Sequence, residues 1–116
     1  VAAPDRPVLC LQADGSAMYT PQALWTQARE GLNVTTVLLA NRSYAILNIE
    51  LQRVGADAGG PQARRLLDLT EPDLNFCDLA RGMGVPAHRA ETAADLVAAL
   101  EAGMSEPGPS LVEVVL

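Results

Sequence analysis

An α/β fold, a three-layer αβα sandwich around a mainly parallel sheet, is the architecture this sequence predicts. Short, nearly continuous apolar runs alternate along it with segments of helical periodicity, the order of strand-helix-strand units joined by right-handed crossovers. The hydrophobic fraction is 49% with only 3% aromatic residues, so the core is built from Leu, Val and Ala, which suits α/β layers. At 116 residues the chain fits one domain with a modest core.

Val8 to Gln12 is a short apolar run closed by Asp14-Gly15, as expected of a buried parallel strand. Thr20-Pro21 supplies a helix N-cap and a proline in the first turn, and the helix should run from about Pro21 to Glu30 and stop at Gly31. Val34 to Ala40 is β-branched at its start and reads as a strand ending at Asn41. A helix is expected from about Tyr44 to Val54, its apolar positions too broad for one narrow stripe. Gly55 to Asp68, with Gly-Ala-Asp-Ala-Gly-Gly-Pro at its start, reads as a loop between two halves. Asn75 should cap a helix through Arg81, and Val85 to Arg89 should form a strand. Thr92-Ala-Ala-Asp95 resembles a capping box opening a helix to about Ala102, and Leu111 to Leu116 is the last strand.

The charge pattern excludes several functions. Net charge is -6, and all eight basic residues are Arg, scattered from Arg6 to Arg89. No basic stripe exists to neutralise a phosphate backbone, so nucleic acid is not a partner. The absence of Lys removes a Schiff-base nucleophile and the lysine of a Walker loop. Cys10 and Cys77 lack paired spacing and read as two buried thiols of a cytoplasmic protein, and His88, the single histidine, reads as structural. Trp25 reads as core, Arg42 as a solvated or ion-paired surface group, and the acids from Asp68 to Asp78 as solvent-facing. No apolar stretch approaches the ~18 residues of a membrane span, and Val1 to Asp5 is no signal peptide. The start, without Met and entering a strand after a Pro-containing lead, suggests a segment of a longer polypeptide.

Chemistry in a parallel α/β sheet collects beyond the carboxyl ends of the strands. Two such ends carry polar residues here: Ala13-Asp14-Gly15-Ser16, and Asn41-Arg42-Ser43-Tyr44, with Asn41 27 positions after Asp14. A strand-helix-strand unit of that length brings adjacent strand ends together, so the Asp14 carboxylate and the Asn41 amide oxygen can converge on one ion. A hard cation such as magnesium takes oxygen ligands and completes its shell with phosphate and water. Gly15 permits close backbone approach and Ser16 adds a hydroxyl, so phosphate can be held without lysine. Asp-Gly-Ser is also a common turn sequence, and taken alone the spacing leaves a purely structural role open.

The stretch ADGSAMYTPQALWTQAREGLNVTTVLLANRSYAIL resembles the thiamine diphosphate motif, which begins Gly-Asp-Gly and ends in two asparagines after a spacer of this length. The similarity continues to the final PSLVEVVL and is greatest to the group of acetolactate synthase, benzoylformate decarboxylase and 2-oxo acid decarboxylases. The resemblance implies a thiamine diphosphate-binding fold in a C-terminal, diphosphate-anchoring domain spanning residues 1-116. It implies that Asp14 and Asn41 bind Mg2+ by their side chains and Ser43 by its backbone carbonyl, that Gly15 and Ser16 hold the diphosphate, and that Tyr44 lies beside it. Ala17 and Met18 would lie near the cofactor, and Ile46 and Leu47 near the substrate. Ala13 replaces the motif's first glycine and Ala40 its first asparagine.

The family's cofactor carries the carbanion chemistry on a 2-oxo acid. The activating glutamate lies in a different domain, usually on a neighbouring subunit. The implied partners are therefore the remaining domains of a parent enzyme and a second subunit of a homo-oligomer, and this stretch by itself is expected to be inactive. The alternative is a non-catalytic, receiver-like α/β module whose acidic strand ends bind a lone cation or a protein.

Overall fold

A computed structural model of the chain describes residues 5-55 and 60-116. Four strands, β1 (Val8–Ala13), β2 (Val34–Ala40), β3 (Ala87–Ala90) and β4 (Ser110–Val115), form one sheet in the order β1-β2-β4-β3, every pairing parallel. The helices are α1 (Asp14–Ala17), α2 (Ala23–Arg29), α3 (Ala45–Arg53), α4 (Pro61–Leu67), α5 (Phe76–Gly82) and α6 (Ala93–Ser105). No helix among the described residues is long and apolar enough to cross a membrane.

Strand alternation sorts the side chains into two layers. Leu38 and Ala40 of β2, Ala87 of β3 and Leu111 of β4 point to one face, where Leu24 of α2 and Phe76, Cys77 and Ala80 of α5 complete the main core. Ala90 and Val112 point to the other, against Leu96 and Ala99 of α6. The expected three-layer α/β sandwich is what these layers form. Coverage of the second face is incomplete: α6 lies over β2, β4 and β3, while Leu9 and Leu11 of β1 remain exposed.

Local chemistry explains most boundaries. After α2, Gly31 adopts φ +58°, the Leu32 N–H donates to the Gln27 carbonyl and the Gly31 N–H to the Ala28 carbonyl, a Schellman stop of the kind that glycine supplies. Gly84 ends α5 in the same way, with Val85 donating to Ala80. The Asn75 side chain accepts from the Asp78 N–H, and the Thr92/Asp95 capping box is present in both directions. Those bonds hold the exposed Asp95 carboxyl below the usual carboxylate range, the Thr92 side chain being the larger cause. The stability it contributes is therefore present above the ordinary aspartate pKa and is lost as pH falls through the lower, folded value.

Several expectations are corrected. The Gly55 to Asp68 segment is not all loop, because Pro61 opens α4, the missing proline N–H costing nothing in a first turn; residues 56-59 of that stretch lie outside the described residues. Asp14 to Ala17 is a short helix, α1, rather than a turn. Thr20 and Pro21 form turns before α2 instead of capping it, and the helix opens at Ala23 with no side-chain cap. β3 begins two residues later than expected, and α6 continues to Ser105. Trp25 is not core: it is 51% exposed, and Arg29 stacks 4.7 Å from its ring centroid. Cys10 is half-buried, and Cys77 is buried. Burial, followed by the hydrogen bond to Glu113 and that residue's charge, pushes the Cys77 thiol up to about 11, so it stays protonated at neutral pH.

One glycine fixes how close α6 lies to the sheet. A Cβ on Gly103 would sit 2.6 Å from Ser110 Oγ and 3.1 Å from Thr35 Cγ2. Both side chains are buried in a chain of hydrogen bonds, Ser110 Oγ to Thr35 Oγ1 and Thr35 Oγ1 to the Gly103 carbonyl, each 3.0 Å. Neither can step aside without losing a bond, so Gly103→Ala is expected to destabilise the fold by about 1–3 kcal/mol. A lowered urea midpoint at unchanged slope would register it; an unchanged midpoint would mean that the helix shifts freely.

Candidate functional site

The parallel register Ala13↔Leu39 sets the exits of β1 and β2 side by side, so the two polar strand ends open onto one space. A backbone contact locks them together. Asp14 is only 2% exposed, and its Oδ2 accepts from the Arg42 N–H at 2.5 Å while Oδ1 accepts from the Gly15 N–H at 2.7 Å. Arg42 reaches that position with φ +57°, a left-handed conformation unusual for a residue with a long side chain. The carboxylate compensates the strain by taking the N–H that this geometry presents. The next turn is fixed by Asn41, whose Oδ1 accepts from the Ser43 N–H at 3.1 Å.

The second loop is tied to the end of α4 and to the chain just after it. The Tyr44 N–H and the Ser43 hydroxyl both donate to the Leu67 carbonyl, at 2.9 Å and 3.2 Å, and the Leu69 N–H donates to the Arg42 carbonyl. Asn48 Nδ2 in turn donates to Ser43 Oγ. Segments distant in sequence thus brace the stretch from Asn41 to Tyr44.

These elements bound a pocket of about 430 Å³ lined by Asp14, Gly15, Ser16, Asn41, Ser43, Tyr44, Ile46 and Leu47, with Ala13, Tyr19 and Ala45 completing the wall. Gly15 forms its floor beneath the Tyr44 ring, where an added Cβ would lie 2.7 Å from Cδ1. Exposed Ser16 and Asn41 give it polar groups, and exposed Ile46 and Leu47 on α3 give it apolar ones. Ala17 and Met18 lie elsewhere: both pack on the main core, and neither lines this pocket. Ala13 has φ -90° and ψ 152°, ordinary extended backbone, so the alanine meets no conformational restriction there.

Three features were not anticipated. Tyr19, 78% exposed, lines the pocket from the turn after α1. Arg42 contributes through its backbone, while its side chain pairs with Asp73 at 3.6 Å, the half-exposed ion pair expected of it. Behind Asp14, a void of about 10 Å³, room for one water, lies among Asp14, Arg42, Arg89 and Glu113. Glu113 is 2% exposed and accepts from the Cys77 N–H at 3.2 Å, at the start of α5. A lone Glu in the apolar run of β4 offered no sign that its carboxylate would be enclosed.

The donor set fits a hard divalent cation. Asp14 carboxylate, Asn41 amide and Ser43 carbonyl are all oxygens, and each Asp14 oxygen accepts one recorded bond and retains a further lone pair. The pocket also has room for a diphosphate approaching over Gly15.

Comparison with known proteins shows the family. A family model described as "Thiamine pyrophosphate enzyme, C-terminal TPP binding domain" matches residues 1–114. A Mycobacterium tuberculosis protein with the provisional name acetolactate synthase large subunit IlvX is 58% identical over 117 residues, covering 100% of this chain and 23% of its own length. Benzoylformate decarboxylase of Pseudomonas aeruginosa is 34% identical over 114 residues, covering 98% of this chain and 20% of its own. The solved structure of Rhodococcus jostii RHA1 thiamine diphosphate-dependent 4-hydroxybenzoylformate decarboxylase superposes with a TM-score of 0.83 at 33% identity, over 97% of this chain and 20% of that one. The chain thus spans about a fifth of the length of these relatives. A match running from Val1 to Val114, joined to a sheet whose adjacent strand ends meet at Asp14, means that this chain belongs to the thiamine pyrophosphate enzyme family, as its C-terminal TPP binding domain.

Proposed function

We propose that this domain anchors the diphosphate of thiamine diphosphate through Mg2+, as part of an enzyme that acts on 2-oxo acids in the manner of a decarboxylase or acetolactate synthase. The observation that carries the reading is the pocket of about 430 Å³ in which the exits of β1 and β2 bring Asp14, Gly15, Ser16, Asn41, Ser43 and Tyr44 together. Asp14, Asn41 and the Ser43 carbonyl would hold the metal, Gly15 and Ser16 would bind the diphosphate, and Tyr44 would lie beside it. When bound, the cofactor supplies the carbanion chemistry on the 2-oxo acid.

The work of this chain is positional. Asp14 is held by two backbone N–H groups, so its carboxylate is oriented before any ligand arrives, and little reorganisation accompanies binding. Ile46 and Leu47 give the pocket apolar lining and would lie near the substrate. The activating glutamate comes from a second subunit of a homo-oligomer, and the remaining domains of the enzyme contribute the rest of the cofactor cavity.

Calorimetric titration of thiamine diphosphate into the chain is the direct test. Binding is expected only with Mg2+ present and should vanish on chelation. A cation affinity indifferent to the diphosphate would instead support a receiver-like module and end the proposal.

A further inference from the structure

A separate cavity of about 100 Å³ lies on the other side of α1 and α2, under the main helical layer. Its wall is mostly apolar, from Leu24, Leu38, Leu79 and Phe76, and no charged side chain lines it. Two polar atoms in that wall are buried and unpartnered among the described residues: Thr36 Oγ1, on a residue 6% exposed, and Gln27 Oε1. Thr36 lies in β2 beside Cys10 of β1, on the face that α2 covers, and Gln27 descends from α2.

A buried hydroxyl and a buried amide oxygen without partners are each costly to the fold. Sharing one cavity, they become complementary to a guest. The Gln27 oxygen can only accept, so the guest must donate to it; the Thr36 hydroxyl can donate to an acceptor on the same guest. A neutral amide or alcohol on a short aliphatic body satisfies both, and a charged molecule would find no counterion. A cavity about two-thirds of the ~150 Å³ that admits benzene, with its six carbons, limits the guest to about four heavy atoms.

We propose that this cavity is a second binding site, distinct from the diphosphate pocket, for a small uncharged amide or alcohol of about four heavy atoms. The wall residues Ala17, Thr20 and Pro21 continue directly from the Asp14 to Ser16 segment, so the two sites share the α1 backbone.

The test uses acetamide as probe and the whole 116-residue chain, followed by amide NMR shifts. Saturable binding with a millimolar Kd is expected, with shifts centred on Cys10, Gln27, Thr36 and Leu38. Thr36→Val, which keeps the shape and removes the hydroxyl, should weaken the probe about fivefold. The same variant should raise the melting temperature of the free chain by roughly 2 to 5 °C, since it removes an unpaired buried hydroxyl. Acetate, the charged molecule of the same size, should not bind. Shifts that grow without saturating, equal affinity in Thr36→Val, or equal binding of acetate would each overturn the proposal. A lowered melting temperature in Thr36→Val would overturn it too, by showing the hydroxyl already satisfied, as an ordered water would leave it. Thr36→Ser, which retains the hydroxyl, should keep most of the affinity and gives a second reading if the valine variant folds poorly.

Discussion

Replacing Asp14 with alanine is expected to abolish Mg2+-dependent binding of thiamine diphosphate and, at the same time, to lower the stability of the free chain. The two losses have one origin. Asp14 is 2% exposed, and its oxygens accept from the N–H groups of Gly15 and Arg42. Removing the carboxylate leaves two buried donors without partners, a cost of about 1–3 kcal/mol each before relaxation, offset in part by no longer burying a charge. A net fall near 2 kcal/mol is expected in denaturant unfolding. For binding the direct metal contact is lost as well, and because supporting residues alone commonly account for 10–100-fold in metal affinity, an increase in Kd on the order of 100-fold or more should follow. Asp14→Asn sharpens the test: its amide oxygen can satisfy one N–H while its NH2 group faces the other, so stability should fall less than in the alanine variant although metal binding still fails. Calorimetry with the diphosphate and Mg2+ on all three proteins decides the matter, and wild-type affinity in Asp14→Ala would remove the metal-ligand role from this residue.

How much of this was legible beforehand depends on whether the deciding interaction is local. The Asn75 cap, the Thr92/Asp95 box and the Gly31 stop are written within four or five residues of one another, and each formed where the sequence placed it. β2 announced itself by a β-branched apolar run. α1 did not, because Asp-Gly-Ser-Ala has the composition of a turn, and only the enclosing contacts make it helical. α4 carried a signal that was outweighed: Pro61 suits a first helical position, but the glycines before it dominated the reading. At the site, the spacing of Asp14 and Asn41 already implied adjacent strand ends. The left-handed Arg42, whose N–H binds Asp14 across 28 residues, was invisible, since nothing about arginine favours that conformation. Glu113 and Tyr19 were missed for the same reason: their placement is set by neighbours far along the chain.

Gly15→Ala should damage the site through shape rather than charge. Its φ lies outside the left-handed region, so the backbone tolerates alanine and the effect must come from contact. The new methyl would lie 2.7 Å from Tyr44 Cδ1 and 3.0 Å from Cε1, closer than non-bonded carbons sit. Tyr44 cannot absorb this by moving its backbone, because its N–H is tied to the Leu67 carbonyl and the preceding Ser43 hydroxyl binds the same oxygen. The ring itself must rotate, and it forms a wall of the pocket over which the diphosphate is expected to lie. Overpacking of this kind costs about 1–3 kcal/mol, and displacing a positioning group by about 1 Å can cost 10²-fold. A rise in Kd for thiamine diphosphate of at least about tenfold is expected, with a smaller loss of stability. The cause is separable from a general defect at Gly15 by a double-mutant cycle. In a Tyr44→Ala background the methyl has space, so the further effect of Gly15→Ala should shrink by 1 kcal/mol or more, on the order expected for residues in contact. Strict additivity of the two substitutions would mean that the ring and the glycine act independently and that the floor of the pocket is set by something other than their packing.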